Sequence, residues 1–563
     1  MNSYRLRLIP LGGVTDVTKN MYVYELYKDG DLQDILIVDC GIGFPKEKEL
    51  GVDLTIPDIS YLTGDGEDRV NKINKIRAIV FTHGHEDHIS GITYHYDKLG
   101  HPPLYASKLT SVFLQKKLEE KGYRPIINVI RYRQNYQLGD FKVRFIPITH
   151  SIPDTTHLVI SSPVGTIYHG SDFKLDLTPP YGQPPDFYEI SRTGKEGVLA
   201  LLSDCLGSER EGLTLSESAI GKTFEEEMSS TKGKFFMTTF SSNISRIRQC
   251  VEAAVKFNRK ICFLGRSMKE NTVLAKEIGY LPLPYNFIMK EEEIKKYPPN
   301  KICLIVAGSQ GQFDSALAKI ARNDNPYVKI NKGDKIIFSS DPIPGNEEEV
   351  YGLVEDLIKK GADVIYPSIS DQLHASGHAN IEDLKLLIRM VNPQYFIPIG
   401  GTLRHQRQYQ RLVKELGYNE KNVFLLDEGE VINFKDGKAY LKDKIYTKTI
   451  YVDAYGIGDV GQIVLRDRQN LASEGIVVVV LPIDKSLRLL TAPKIITRGF
   501  VFEKQEQPLI KESQHLIERI LKPKKRAMIN LNNIRKEVIN QLERLFFEKK
   551  GRKPLIIVDV FGL

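Results

Sequence analysis

Metal-binding side chains are concentrated at residues 82–88, which read Thr-His-Gly-His-Glu-Asp-His. His83, His85, Asp87 and His88 bring imidazole and carboxylate donors together within one short segment. Donors of these two kinds suit zinc or a similar divalent ion. A histidine-rich surface loop is the alternative interpretation, but such a density of ligand types favours a metal site.

The elements around this segment predict how it is held. The apolar run 76–81 reads as a buried strand and residues 89–99 read as a helix, so the motif lies on a strand-to-helix loop. Asp39, His150 and Asp172 each follow another apolar run that reads as a strand. A carboxylate at a strand end can orient a metal-bound histidine or a water. For each of the three taken alone, the alternative is a turn-forming or otherwise satisfied polar residue.

The order of the predicted elements divides the chain into parts. Residues 1–210 are predicted to form the first part of one domain. In residues 211–370 apolar runs alternate with helical stretches, which predicts a parallel, doubly wound sheet inserted into that domain. Residues 371–445 return to the first domain, 446–461 are predicted as a linker or edge region, and 462–563 read as a smaller α/β unit.

The composition is that of an ordinary globular protein, with 563 residues of which 41% are hydrophobic and 26% are charged. The net charge of +7 is compatible with a polyanionic partner or simply with a slightly basic enzyme. Five scattered cysteines without a Cys-x-x-Cys pair argue against a disulfide framework and a zinc ribbon. Because neither a signal peptide nor a membrane-spanning run is recognisable, the expected location is the cytoplasm, with no membrane partner.

Several motifs in the same order resemble the β-CASP branch of the metallo-β-lactamase superfamily, and within it the ribonuclease J family. The resemblance covers essentially the whole chain, and its motifs are specific in combination. They lie at residues 82–88, 150–154, 170–174, 203–204, 242–246, 265–268, 308–311, 340–346, 374–378, 464–468 and 497–501.

The resemblance implies an α/β fold, in which a metallo-β-lactamase αββα sandwich carries an inserted doubly wound β-CASP domain and a small C-terminal α/β domain. It also implies two divalent metal ions. Zinc is expected, with manganese or magnesium as alternatives at the second position. The first ion would be held by His83, His85 and His150.

The same resemblance assigns Asp87 and His88 to the second ion, with Asp172 bridging both ions. Members of the family usually carry a histidine at the position of Gly400, and that histidine completes the second site. Gly400 has no side chain. The expectation is therefore weaker occupancy of the second site, with either water or His405, one turn into the next predicted helix, replacing the usual ligand.

Catalytic roles are implied for His378, Asp87, Asp204 and Asp39. His378 matches the family's general acid, and an imidazole has a pKa suited to giving a proton near neutral pH. The alternative for His378 is a histidine near the start of the following helix. Asp39 and Asp204 match residues that orient the metal site.

Substrate contacts are expected from the segment around His378. His374 and Ser376, together with the backbone of Gly377, match the family's pocket for a 5′-phosphate and are suitable donors to such an anion. Ser309 lies in a Gly-Ser-Gln-Gly loop that either holds another phosphate at a helix N-terminus or is a tight βα turn. Two arginines are candidates for contacts with the nucleic-acid backbone, with solvated surface side chains as the alternative: Arg246 and Arg266.

The resemblance predicts a metal-dependent ribonuclease that degrades RNA from the 5′ end, prefers a 5′-monophosphate and also cuts internally, in RNA decay and processing. The alternatives are a small-ester hydrolase on the same core and a catalytically weakened RNA-binding partner subunit. The C-terminal unit is predicted to form a homo-oligomer, dimer or tetramer, with a simple packing domain as the alternative. The remaining histidines are expected to be structural or on the surface: His95, His101, His157, His169, His405 and His515.

Overall fold

The computed structural model describes residues 3–46, 49–67, 69–369, 375–453, 456–458, 460–484, 488–501, 506–522 and 531–562. It separates into two compact units. The first comprises Met1–Phe44 and Thr55–Ile450, and the second comprises Pro45–Leu54 and Tyr451–Leu563. Among the described helices, none has the length and hydrophobicity needed to cross a lipid bilayer.

The first part of the chain is dominated by strands, which end at the residues expected to do chemistry. Its elements are β1 (Tyr4–Gly12), β2 (Met21–Lys28), β3 (Asp31–Val38), β4 (Leu54–Ile56), α1 (Ser60–Thr63), β5 (Ile76–Val80), α2 (Glu86–Ile89), α3 (Ile92–His95), β6 (Leu104–Ala106), α4 (Lys108–Glu120), β7 (Ile127–Val129), β8 (Asn135–Leu138), β9 (Phe141–Pro147), β10 (Thr156–Ser162), β11 (Gly165–Gly170), α5 (Phe187–Glu196) and β12 (Ala200–Asp204).

The inserted domain alternates strands and helices around a parallel sheet in the order β14–β15–β13–β16–β17. This pattern is the predicted doubly wound architecture, and its buried strands are the apolar runs seen in the sequence. The elements are α6 (Ser218–Ser230), β13 (Phe235–Thr238), α7 (Ile244–Lys256), β14 (Lys260–Leu264), α8 (Arg266–Glu277), β15 (Ile302–Val306), α9 (Ala316–Ala321), β16 (Lys335–Phe338), α10 (Glu347–Lys359) and β17 (Asp363–Ile365).

The chain then returns to complete the first domain with α11 (Ile381–Val391), β18 (Tyr395–Ile399), α12 (Leu403–Glu415), β19 (Glu430–Lys435) and β20 (Lys438–Lys444). One sheet has the order β20–β19–β1–β2–β3–β5–β6–β7 and another has the order β18–β12–β11–β10–β9–β8. Apolar side chains from both sheets form a common core. Helix α4 packs on the outer face of one sheet, and α11 and α12 pack on the outer face of the other, which gives the predicted αββα sandwich.

Strand register brings the functional strand ends to one edge of the sandwich. Val38 at the end of β3 is level with Val80 at the end of the parallel β5. In the other sheet Gly170 is level with Ser203, and Asp204 is level with Ile399. Because these neighbouring strands run parallel, the residues that follow them emerge side by side.

The second unit contains β21 (Ile450–Asp453, of which Ile450 belongs to the first unit), β22 (Gly456–Ile457), α13 (Gln462–Glu474), β23 (Ile476–Ile483), β24 (Lys494–Arg498), α14 (Gln507–Leu521), α15 (Leu531–Lys550) and β25 (Leu555–Gly562). Its sheet has the order β24–β23–β25, and α14 and α15 cover one face of it. Two differences from the expected elements stand out. The predicted linker contains the antiparallel strand pair β21–β22, and the helix expected at 89–99 is replaced by the two short helices α2 and α3.

Candidate metal centre

Asp39 shapes the loop that carries the histidine motif. It follows β3 in a left-handed conformation, with a φ of 60°. Its carboxylate accepts hydrogen bonds from the backbone N–H and the hydroxyl of Thr82, both at 2.8 Å. It also lies 2.8 Å from Nδ1 of His88. A carboxylate at this distance fixes the proton on Nδ1, so the Nε2 lone pair of His88 faces the interior of the site.

Three histidines direct ring nitrogens to one point. His85 Nδ1 lies 3.1 Å from His83 Nε2 and 3.1 Å from His150 Nε2. The opposite ring nitrogens are engaged outward. His83 Nδ1 lies 3.0 Å from the Thr82 hydroxyl, which itself donates to a carboxylate, and His85 Nε2 lies 3.2 Å from the Ser151 hydroxyl. This network places the protons on the outer nitrogens and leaves three lone pairs directed inward.

Gly377 orients the third of these histidines. Nδ1 of His150 donates to the Gly377 carbonyl at 2.6 Å. A Cβ atom at residue 377 would lie only 2.7 Å from His150 Cε1, so the close approach of backbone and ring requires glycine. The sequence predicted Gly377 as part of a phosphate pocket, and the structure adds its contact with His150, one of the predicted metal ligands.

The electrostatics of the histidine cluster fit a divalent ion. Burial, together with the neighbouring imidazoles, lowers the pKa of His83 and His150 well below the usual value, and burial lowers the pKa of His85 to about 3. Three neutral rings that direct lone pairs at one another repel unless a cation lies between them. Asp172 supplies the matching negative charge, with Oδ2 at 4.0 Å from His83 Nε2 and 3.9 Å from His150 Nε2. Neutral imidazoles with a carboxylate are a suitable donor set for zinc.

The donors of the second predicted metal site are fewer than those of the first. His88 Nε2 lies 3.5 Å from Asp172 Oδ2 and 3.7 Å from Asp87 Oδ2. A residue that sequence reasoning missed also lies here. The buried side-chain amide of Asn20 places its nitrogen 3.1 Å from His88 Nε2 and 3.5 Å from Asp87 Oδ2. No pattern in the sequence distinguishes Asn20, which precedes β2, so only the fold reveals it.

Gly400 faces the same region. It follows β18 with a φ of +65°, and a Cβ atom added there would lie 3.5 Å from Asp204 Oδ1 and 3.7 Å from Asp172 Oδ1. A side chain at residue 400 would therefore point at the site, but glycine supplies none. His405 does not take its place, because its Nδ1 caps helix α12 by accepting from the Thr402 N–H at 3.2 Å.

His378 is held by Asp204, with 2.7 Å between Nδ1 and Oδ2. Burial disfavours the charged ring, but the negative charge of Asp204 and this hydrogen bond outweigh burial and raise the pKa of His378 to about 9. The backbone N–H of Leu206 donates to the other carboxylate oxygen of Asp204 at 2.9 Å and fixes its orientation. The raised pKa favours the protonated ring at neutral pH, which is the form that a general acid needs.

A cavity of about 320 Å³ opens over these groups, between the sandwich and the inserted domain. The sandwich contributes Asp87, Asp172 and the segment 376–378, and the insert contributes Asn243 and the segment 341–344. His374, the other expected phosphate ligand, lies outside the described residues.

Two other predicted substrate residues have different surroundings. Ser309 is buried and does not line the cavity. Its loop braces the insert, because Gln310 bonds to the backbone of Asp341 and Ile343, and helix α9 is capped by its own Ser315. The structure therefore favours the tight βα turn over the phosphate site.

The two candidate arginines differ in exposure. The Arg266 side chain is 78% exposed and pairs with Glu270 at 2.9 Å, so it remains accessible to a ligand. Arg246 is fully buried, and the expectation that it contacts a nucleic-acid backbone is wrong.

The remaining histidines divide as expected. His95, His157 and His169 are buried, and burial lowers their pKa values to about 4, 3 and 3 respectively. His101 and His515 are exposed. All five cysteines are buried with free thiols.

Family profiles match successive parts of the chain. The metallo-beta-lactamase superfamily matches residues 14–206, the ribonuclease J beta-CASP domain 232–357, the Zn-dependent metallo-hydrolase RNA specificity domain 361–426 and the ribonuclease J C-terminal domain 463–562. A solved structure from Enterococcus faecalis, a protein of unknown function, is similar in fold. It has a TM-score of 0.53 and 17% identity, and the match covers 76% of this chain and 100% of that chain.

Curated relatives match over nearly the full length. Ribonuclease J2 of Bacillus subtilis is 35% identical over 561 residues, which is 99% of this chain and 98% of the relative. Ribonuclease J 1 of Streptococcus pyogenes is 36% identical over 97% of this chain and 96% of the relative, and ribonuclease J of Helicobacter pylori is 36% identical over 98% and 79%. The resemblance seen in the sequence is confirmed, and the chain belongs to the ribonuclease J family.

Proposed function

We propose that this chain, a metal-dependent ribonuclease by family, degrades RNA from the 5′ end in cytoplasmic RNA decay and processing, prefers a 5′-monophosphate and also cuts internally. The observation that carries the proposal is the position of His378, paired with Asp204, in a cavity that is also lined by His85, His150 and Asp172. A proton donor beside a metal-ligand cluster is the combination that phosphodiester hydrolysis requires.

Two divalent ions are proposed, one bound tightly and one weakly. His83, His85 and His150 with Asp172 would hold the tight ion, for which zinc is the best fit. Asp87, His88 and Asp172 would hold the weaker one, which could be zinc, manganese or magnesium. When bound, such a pair activates a water and neutralises charge on the phosphorus.

The protein's own groups would complete the reaction. His378 would give its proton to the leaving 3′ oxygen, and Asp204 would keep the ring charged and oriented until that transfer. Asp39 would hold His88 in the tautomer that a metal ligand needs. Ser376 accepts a hydrogen bond from the His378 N–H at 3.1 Å, which leaves its hydroxyl proton to donate to a terminal phosphate.

A labelled-RNA assay would test this function. RNA carrying a 5′-monophosphate or a 5′-triphosphate is incubated with manganese, magnesium or zinc while the bound metal is measured in the same sample. We expect mononucleotide release, faster from the monophosphate, and loss of cleavage in His378→Ala. His101→Ala is the matched control, because His101 is exposed, contacts Tyr96 and Tyr123, and does not line the cavity.

Two other results of this assay would support the alternative functions. Binding of RNA without cleavage by a fully metallated sample would favour the partner-subunit interpretation, for which Gly400 is the specific reason. Hydrolysis of small esters with indifference to RNA would favour the small-ester hydrolase. Either result would overturn the proposal.

Self-association through residues 462–563 is also proposed. In the second unit, the face of the β24–β23–β25 sheet opposite α14 and α15 carries apolar side chains that are half-buried or exposed, among them Val478, Ile496, Ile557 and Phe561. An apolar sheet face of this kind is a suitable surface for another copy of the chain.

A further inference from the structure

Arg246 is a fully buried charged side chain in the first turn of α7. Its Nε and Nη2 form a paired contact with the two carboxylate oxygens of Glu217, at 2.7 and 2.8 Å. The same guanidinium donates to the carbonyl oxygen of Ser339 at 2.5 Å and to that of Ala375 at 2.9 Å. One side chain of the insert thus connects three separate segments of the chain.

Glu217 extends this contact to the sandwich. It accepts from Lys174 Nζ at 3.2 Å, and Lys174 also lies 3.9 Å from Asp176. Lys174 and Asp176 lie two and four residues after Asp172 in the chain. We call Lys174, Asp176, Glu217 and Arg246 the buried ion cluster. Burying charges costs free energy that apolar packing would not, so such a cluster is weak evidence of a purely stabilising role.

The Ala375 carbonyl is the contact that matters for catalysis. Ala375 begins the described part of the loop that continues through Ser376, Gly377 and His378. Within this loop the Gly377 carbonyl orients His150, and His378 is paired with Asp204. A shift of the Ala375 carbonyl would therefore displace both a metal-ligand contact and the proton donor.

We infer that Arg246 is a positioning residue, which uses the inserted domain to hold the Ala375–His378 loop against the metal centre. The part of this inference that concerns proton donation rests on the proposed role of His378. The part that concerns metal binding depends only on the bond between Gly377 and His150.

Two variants separate positioning from general stability. Arg246→Lys keeps the charge but cannot bond to the two Glu217 oxygens, Ser339 and Ala375 together. Arg246→Met combined with Glu217→Gln removes both charges of the pair and avoids leaving a buried carboxylate without Arg246. Arg259→Lys is the matched control, because Arg259 is also a buried arginine of the insert, but it bonds to the carbonyls of Thr231 and Gly233.

Four quantities are measured on each full-length protein: the melting temperature, kcat and KM on 5′-monophosphorylated RNA, and the rate at which a chelator removes zinc. For Arg246→Lys and for the double variant we expect kcat to fall by about 10–100-fold and zinc to be lost correspondingly faster. KM for 5′-monophosphorylated RNA is expected to rise as well, because Ser376 and Gly377 of the same loop line the cavity. The rate of zinc release is therefore the readout that reports on the contact between Gly377 and His150. Arg259→Lys should keep the kcat and zinc release of the parent at a comparable melting temperature.

The inference is overturned if the Arg246 variants match Arg259→Lys in kcat and zinc release at equal melting temperature. If the parent protein holds zinc but leaves RNA intact, the proposed function fails, and the zinc release rates still decide whether Arg246 positions the loop.

Discussion

His378 and Asp204 form a direct pair, 2.7 Å apart, although the whole inserted domain lies between them in the chain. Asp204 ends β12, and His378 belongs to the segment that returns from the insert. The proposed general acid and the carboxylate that raises its pKa therefore come from opposite sides of the insertion.

Replacing Asp204 by Asn is expected to move the alkaline limb of the kcat profile to lower pH. The pKa of His378 is about 9 because the charge of Asp204 outweighs burial. Asn keeps the shape and can still accept from the Leu206 N–H, but it removes the charge. We expect a shift of about one to three pH units, measured from kcat between pH 6 and 10 at constant metal occupancy. If the alkaline limb of the kcat profile stays at the same pH in Asp204→Asn, a group other than His378 determines that limb.

The same pair links stability to pH. Because the pKa of His378 is raised in the folded state, the His378–Asp204 pair adds to the free energy of unfolding. This contribution is complete below about pH 6.5, the usual histidine pKa. It is lost as the pH rises through about 9. Denaturant titrations of the parent should show this loss, and those of Asp204→Asn should lack it.

Gly377→Ala is expected to weaken the tight metal site. The added Cβ atom would lie 2.7 Å from the ring of His150 and must displace it or the loop. We expect zinc affinity and activity to fall by about 10–100-fold, as for other changes to groups that orient metal ligands. Gly352→Ala, in α10 where an added Cβ meets nothing within 4 Å, is the control and should bind zinc like the parent.

Metal counting should give one tightly held ion and a second that dialysis removes. Neither Gly400 nor His405 contributes a donor to the second site, because the one lacks a side chain and the other caps α12. His405→Ala should leave the metal count unchanged and lower stability by about 1 kcal/mol through loss of the cap. Two tightly held ions in both proteins would contradict the weak second site.

Asn20→Asp should strengthen the second site. The Asn20 amide nitrogen already lies 3.1 Å from His88 Nε2, so a carboxylate there adds an anionic donor beside Asp87 and His88. Isothermal titration with manganese should show tighter binding in Asn20→Asp. Asn20→Ala, which removes the amide without adding charge, is the control. Equal affinity in Asn20→Asp and Asn20→Ala would show that this side chain does not reach the ion.

Ile557→Lys should reduce the oligomeric mass in solution, because Ile557 is 45% exposed on the apolar face of the C-terminal sheet. Light scattering of the full-length protein would measure it. Phe547→Lys is the matched control, since Phe547 is similarly exposed but lies on helix α15. A mass that falls equally in both variants, or in neither, would argue against this face.

The sequence contained local signals for the histidine cluster and for the strands that hold it. His83, His85, His150 and Asp172 each follow an apolar run, and the residues after adjacent parallel strands meet at one sheet edge. These signals required no knowledge of distant contacts. The resemblance to a family then assigned His378, which local pattern alone left open.

The positions of Asn20 and Arg246 could not be predicted from the sequence, because they depend on packing between segments that are distant in the chain. Asn20 has no motif, and it reaches His88 only because the sheet brings the segment before β2 beside the motif loop. Arg246 lies in a polar stretch near a helix start, where exposure is the ordinary expectation. Its burial follows from the packing of α7 against the sandwich and the Ala375 loop, which a local pattern does not contain.

The strand β18 completes its sheet beside β12 only after the entire insert has been synthesised. During translation, β18 must therefore emerge from the ribosome before it can pair with β12, the strand that ends at Asp204. If translation stops within the insert, for example on a truncated mRNA, the polypeptide also lacks His378. Such a fragment is expected to be inactive, because the order of the chain places the proposed proton donor and the last strand of this sheet after the insert.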